Sequence, residues 1–274
     1  MELGIAVRSM GPQSAPHTLL ACALAAEEAG LADLWVQDHV AIPPDDAEGS
    51  GGRYLDPLTA LAWLAAATRR IGLGTGVLVL PYRPPLPTAK AVATVQELSG
   101  GRLRLGVGVG WMAAEFRALG VPREERGRRT DETLAFLRAC FADDRVESHG
   151  QELLFLPRPP APPIYVGGAG EHALRRAVAY GDGWMPMGGD PGKLAPAMAR
   201  LRELAEAAGR EPPEVVAFVG LDPARPEVLE EQVAALARLG VARSVVGMRY
   251  ADAGEFARGV ERIAARVLPA LGRG

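Results

Sequence analysis

Asp38 and His39 close an apolar run, LWVQDHV (residues 34–40), and are the side chains of this chain best placed for proton chemistry. A buried segment that ends in Gln37, Asp38 and His39 must find hydrogen-bond partners for all three or offer them to a ligand. Imidazole titrates near neutrality, so His39 can take up or hand over a proton while Asp38 orients the ring. The same pair can equally do less, with Asp38 capping a turn and His39 satisfying backbone groups. His17 and His172 start helical runs and His149 lies in an irregular stretch, so none of them has a comparable setting.

Glycine supplies the second signal. Gly72, Gly74 and Gly76 alternate in GLGTGVLVLPYRPP, which strips one strand face of side chains. That permits a flat ligand to approach the backbone, or relieves a crowded interior. LGVGVGW (residues 105–111) repeats the usage without completing a dinucleotide fingerprint. In YVGGAGEHALRR, Gly167, Gly168 and Gly170 separate an apolar run from a helical one. Free N–H groups and the positive helix end would hold an anion there, most simply a phosphate. Arg175 and Arg176 lie more than a turn into that helix and read as surface charges.

These residues need a scaffold, and the chain alternates short apolar runs with helical patterns. Leu3–Val7 precedes APHTLLACALAAEEAG, with Gly30 as C-terminal cap; LWV precedes a helix capped by Asp56, begun by Pro57 and running to about Thr68. The rhythm continues through IGLGTGVLVL, LRLGVGV, PIYVGG, GWMPM, EVVAFVG and SVVGM, each followed by helical sequence, which makes eight units. Short apolar strands separated by helices imply a parallel sheet covered by helices. Eight of them predict an α/β fold of the (β/α)8 TIM-barrel type, a single domain over residues 1–274, with chemistry at the C-terminal strand ends. Arg8, Met10 and Arg83 follow strand ends and are candidates to line the opening. Residues 141–163, with PRPPAPP, break the rhythm and are expected to pack as an excursion.

Composition narrows the function classes. Thirty Lys and Arg against 33 Asp and Glu leave a formal charge of -3, which gives no field for nucleic acid or an anionic membrane. The two cysteines sit in separate helical runs and read as reduced. With no basic flank before a long apolar segment, the chain reads as soluble and cytoplasmic.

The combination of LWVQDHV, YLDPLTALAWLAAATRRIGLGTGVLVLPYRPP, AKAVATVQELSGGRLRLGVGVGWMAAEFRALG, RGRRTDETLAFLR and PPIYVGGAGEHALRRAVAYGDGW resembles the bacterial luciferase-like superfamily, and within it the F420-dependent oxidoreductase branch. The resemblance runs from Leu3 to about Met187. It implies a flavin or deazaflavin in the barrel mouth, its ring against a non-proline cis peptide joining Gly76 to Val77. Gly108, Val109 and Gly110 would border the ring or ribityl chain, and Gly167, Gly168, Ala169 and Gly170 would hold the phosphate. His39 matches a histidine near the reactive carbon. Sugar-phosphate dehydrogenases of the family place a glutamate directly after the glycine loop, where this chain has Trp111, so their reaction is not expected. Trp111 and Trp184 would instead wall an apolar substrate pocket, Trp184 being equally readable as a core residue.

The implied reaction is hydride transfer between F420 and a small organic substrate, with His39 moving the proton and Asp38 orienting it. The alternative is a monooxygenase using reduced FMN and oxygen. A flavin-binding protein without turnover and an unrelated barrel enzyme for phosphorylated metabolites also stand. No metal is called for, and the resemblance makes a homodimer the expected assembly.

Overall fold

The computed structural model describes residues 1–186, 188–221 and 226–271. Eight parallel strand positions close on themselves. In chain order they are β1 (Glu2–Ala6), β2 (Asp33–Val36), a third position split into β3 (Gly72–Thr75) and β4 (Leu78–Val79), then β5 (Leu103–Gly108). After an antiparallel hairpin of β6 (Arg145–Ser148) and β7 (Gln151–Leu154) come β8 (Ile164–Gly167), β9 (Gly183–Met185), β10 (Glu214–Gly220) and β11 (Arg243–Gly247). Each barrel strand pairs in parallel with its neighbours, β1 bonding both β2 and β11, and β5 taking both halves of the third position. This is the closed barrel that the alternating pattern predicts.

The helices form the outer ring: α1 (Pro16–Glu28), α2 (Pro57–Ala67), α3 (Pro85–Leu98), α4 (Ala113–Ala118), α5 (Arg126–Ala142), α6 (Glu171–Tyr180), α7 (Pro191–Ala207), α8 (Pro226–Leu239) and α9 (Ala253–Leu271). Local signals place their ends. Asp56 accepts from the Thr59 N–H at 2.9 Å and Pro57 fills the first helical position, so the α2 start read from sequence is the observed one. Among the described residues no helix is long and apolar enough to cross a membrane. The excursion proves to contain the β6–β7 hairpin, and it lies against the outer wall, where Lys90 and Gln96 of α3 donate to the carbonyls of Leu156 and Pro160.

Two apolar layers hold the assembly. One lies between strands and helices; the other fills the barrel with Trp35, Tyr165, Met185, Val216 and Val245. Crowding by Trp35 and Asp33 explains two of the three alternating glycines. A Cβ on Gly74 would overlap its indole, and one on Gly72 would come within 2.9 Å of Asp33 Cβ, so these glycines relieve a crowded interior. Above this layer Ala6, Val77 and Phe218 are only partly buried and form the floor of the mouth. Below it, Arg243 pairs with Asp33 and Glu2.

Candidate active site

The third strand position breaks at a cis peptide between Gly76 and Val77, the bond the family resemblance implied. The end of β2 brackets that break. Gly76 N–H donates to Val36 O at 2.8 Å, and Val79 N–H donates to Asp38 Oδ2 at 2.8 Å. A side chain on Gly76 would come within 2.8 Å of Phe218 Cζ, so glycine here keeps the floor flat.

Asp38 does not orient His39, contrary to the sequence expectation. Its carboxylate is engaged by Arg83, which donates from Nη1 to Oδ2 at 2.6 Å and from Nη2 to Oδ1 at 2.9 Å. Arg83 also reaches Asp56 at 3.0 Å, joining the β2 end to the cap of α2. Burial alone would depress the guanidinium, but the two carboxylates outweigh it and hold Arg83 above its ordinary range. Arg83 is therefore a permanently charged clamp that fixes the loop and is not free to meet a substrate.

The carboxylate that does hold His39 belongs to Glu115, on α4. His39 Nδ1 lies 2.8 Å from Glu115 Oε2, which also accepts from the Tyr82 hydroxyl at 3.0 Å. Oε1 accepts from the N–H groups of Val40 at 2.7 Å and Ala41 at 3.2 Å. Burial, followed by the charge of Glu115, pushes the Tyr82 phenol upward, so it stays a donor. Every partner of this carboxylate donates a hydrogen bond to it, and the His39 tautomer follows: Nδ1 carries hydrogen and Nε2 is left free toward the mouth. Glu115 is 2% exposed and the His39 side chain 18%, so only the histidine reaches the mouth. Tyr54 stacks obliquely on the ring at 4.9 Å and Trp111 stands edge-on at 6.0 Å.

Sequence reasoning missed Glu115, Tyr54 and Tyr82. A signal for Glu115 existed: Met112, Glu115, Phe116 and Leu119 share one helical face, and an acid on an apolar stripe must be paired. The first three are buried together.

The glycine loops meet around Val77. A Cβ on Gly108 would lie 2.5 Å from Val77 Cγ2, and one on Gly167 2.8 Å from Val77 Cγ1, so bare backbone packs against the bulge from two strands. Val109 and Gly110 continue that edge, Gly110 with φ 75°. Past Gly167, Gly168 donates to Met185 O, Ala169 is exposed, and Gly170 starts α6 with φ 80° and no side-chain cap. Nothing lies within 4 Å of where a Gly170 Cβ would be. An uncapped ten-residue helix facing open space beside a glycine loop fits a phosphate, here after the fifth barrel strand, whereas barrels commonly hold it after the seventh and eighth.

The remaining candidates divide. Trp111 is 65% exposed beside His39, as a pocket wall requires. Trp184 is 2% exposed and donates from Nε1 to Gly168 O at 2.8 Å, so it braces the glycine loop from inside and cannot touch a substrate. Met10 is tied by its backbone to Tyr54, and Arg8 donates to Gly49 O at 3.0 Å. A cleft of about 670 Å³ opens outside the mouth between α5 and α6, bordered by Val109, Arg126, His172 and Arg176 among others.

Comparison with known proteins gives this arrangement its context. Residues 1–267 match the family described as luciferase-like monooxygenase. The chain is 36% identical over 194 residues to an F420-dependent glucose-6-phosphate dehydrogenase of Beutenbergia cavernae, covering 67% of this chain and 56% of the relative. It is 33% identical over 236 residues to an F420-dependent hydroxymycolic acid dehydrogenase of Mycobacterium tuberculosis, covering 81% and 64%. The crystal structure of monooxygenase RslO1 from Streptomyces bottropensis superposes with a TM-score of 0.76 at 24% identity, covering 99% of this chain and 100% of that one. A histidine held at the mouth of a closed barrel, beside a cis-peptide bulge and a glycine loop, thus sits in a chain that belongs to the luciferase-like family of oxidoreductases.

Proposed function

We propose that the protein is an F420-dependent oxidoreductase that transfers hydride between the deazaflavin and a small organic carbonyl, alkene or alcohol. The observation that carries this reading is the His39–Glu115 pair, set one residue beyond the Asp38 contact that brackets the Gly76–Val77 bulge. Bound, the deazaflavin supplies the redox step. The chain's own residues do the rest. Gly167 to Gly170 and the α6 N-terminus would hold the phosphate, and Val77 with the Gly108–Gly110 edge would seat the ring. Glu115 keeps hydrogen on His39 Nδ1, so Nε2 accepts a proton from an alcohol in one direction and, once protonated, donates to a carbonyl oxygen in the other. Tyr54 and Trp111 flank the imidazole.

Similarity to two F420-dependent relatives at 33% and 36% identity supports the deazaflavin over FMN. So does the cleft beside Val109, which gives a tail extending past the phosphate somewhere to lie, whereas FMN ends at its phosphate. FMN with oxygen remains the second reading, favoured by the family's description and by the glycine loop, which suits either phosphate.

Titration of the purified protein with F420 and with FMN, followed by tryptophan quenching, separates the two, and F420 is expected to bind at least about tenfold tighter. His39→Ala should lower turnover of reduced F420 by about 10²- to 10⁴-fold while leaving F420 affinity within about twofold. Undiminished turnover in that variant, across pH, would remove His39 from the reaction.

A further inference from the structure

Arg8 and Arg249 are cations at the mouth to which the hydride-transfer reading gives no role. The register of β1 with β11 pairs Ile5 with Val246, and carried three residues on it sets Arg8 against Arg249. The two segments stay together past the ladder, because the Arg8 N–H donates to the Tyr250 hydroxyl at 2.8 Å. Strand alternation fixes their sense. Gly4 lies against Asp33 and Trp35, Ala6 packs on the Trp35 cluster, and on the other strand Arg243 and Val245 also point into the barrel. Continuing by twos, Arg8 and Arg249 face the opening, while Tyr250, of opposite sense, packs outside on Phe256 at 4.9 Å.

Neither guanidinium has a carboxylate partner among the described residues, in contrast to Arg83 and Arg243. Arg8 Nε is buried with no hydrogen-bond partner at all. Several of the acids nearby are committed. Asp38 and Asp56 hold Arg83, and Glu115 holds His39. Asp252 and Glu255 serve the start of α9, Asp252 accepting from Glu255 N–H at 2.8 Å and Glu255 from Ala251 N–H at 2.8 Å. An unneutralised pair of guanidiniums at a half-buried rim attracts an anion strongly and recognises planar oxygen pairs best. Arg8 is further linked through Gly49 to the loop whose Tyr54 stacks on His39, so a group held there would be delivered beside the imidazole.

We infer that Arg8 and Arg249 form an anion subsite for the substrate, and that the enzyme acts on organic acids whose carboxylate, or a phosphoryl group in its place, is gripped on the β1–β11 side while the reacting carbon lies toward His39. This rests on the oxidoreductase reading for the identity of the ligand as substrate, but the subsite itself can be tested without turnover. Benzoate, phenyl phosphate and the neutral isostere benzamide serve as probes, with binding followed by calorimetry on the full chain, both with and without saturating F420. Benzoate or phenyl phosphate should bind at least tenfold tighter than benzamide, the preference should shrink with added salt, and the tighter of the two anions names the class. Arg8→Met and Arg249→Met should each weaken the anion more than about fivefold and leave benzamide unchanged. Arg249 is exposed, so its variant keeps the test open if Arg8→Met does not fold. Equal binding of anion and amide, no binding of any probe, or an anion preference that survives both substitutions would overturn the inference. Failure of F420 to bind, with anion preference intact, would instead strike the cofactor reading alone.

Discussion

Three carboxylates are buried among the described residues, Asp33 at the bottom of the barrel and Asp38 and Glu115 at the top, and Asp33 and Glu115 are put to opposite uses. Asp33, fully buried at the bottom, is engaged by Arg243 and by the Trp35 indole N–H, beneath the layer of Trp35, Tyr165, Val216 and Val245. Glu115, 2% exposed at the top, is engaged by two backbone amides, a phenol and an imidazole, and that imidazole reaches the mouth. Both carboxylates are satisfied. What differs is whether any partner has an outward face: Arg243 spends its bonds inside or on Glu2, while His39 keeps Nε2 free of partners among the described residues. A buried carboxylate whose imidazole partner reaches the mouth can do chemistry, and one sealed by a permanent cation can only hold the architecture.

Removing the cation at the bottom should have the largest effect. Burial pushes the Asp33 carboxyl up to about 6, with Arg243 pulling in the opposite direction. The native state thus keeps this proton to higher pH than the unfolded chain, whose carboxyl titrates near ~4. The stability linked to it is complete below pH ~4 and is lost as pH rises through about 6. Arg243→Met deletes the group that limits this loss. It should cost about 3–5 kcal/mol at pH 8 and far less at pH 4, where Asp33 is neutral in both proteins. Urea unfolding at the two pH values measures it, and an equal cost at both would show that the pair is not the reason Arg243 is there.

At the top, Glu115→Gln sharpens the contrast, because it should spare the fold and damage the chemistry. The amide oxygen can still receive Val40 and Ala41, but its NH2 then faces His39 Nδ1 and drives the ring hydrogen to Nε2. Oxidation of an alcohol, which needs a lone pair on Nε2, should fall by about 10²-fold or more. Unfolding free energy should change by only about 1–3 kcal/mol. Nitrogen chemical shifts of His39 report the tautomer directly. A drop in turnover with the tautomer unchanged would mean that Glu115 acts by some other route.

The two ends were unequally legible in the sequence. The barrel, the α2 cap and the positions of His39 and the glycine loops follow from periodicity and local chemistry, which act over a few residues. Glu115 was not found because its partner lies 76 positions away, and only its place on an apolar helical face betrays it. Asp38 was assigned to His39 because the two are adjacent in sequence. Yet consecutive residues on extended backbone point to opposite sides, so Asp38 turns to Arg83 and His39 to α4. The alternation of Gly72 and Gly74 left a ligand surface and a crowded interior both open, and these glycines prove to make room for Asp33 and Trp35. The β6–β7 hairpin is short, polar and exposed, with no apolar alternation to announce it.

Trp184 offers the smallest effect and the finest discrimination. As a pocket wall its loss would alter substrate KM; as a brace for Gly168, it should alter cofactor binding instead. Trp184→Phe keeps the ring and most of the buried volume and deletes the single 2.8 Å bond to Gly168 O. A neutral hydrogen bond of this kind contributes about 0.5–1.5 kcal/mol. The phosphate loop, freed at one point, should therefore bind F420 roughly two- to tenfold more weakly. The melting temperature should fall only slightly and KM for the organic substrate should not move. A change in KM with F420 affinity intact would place Trp184 back at the substrate and leave the α6 N-terminus needing another support.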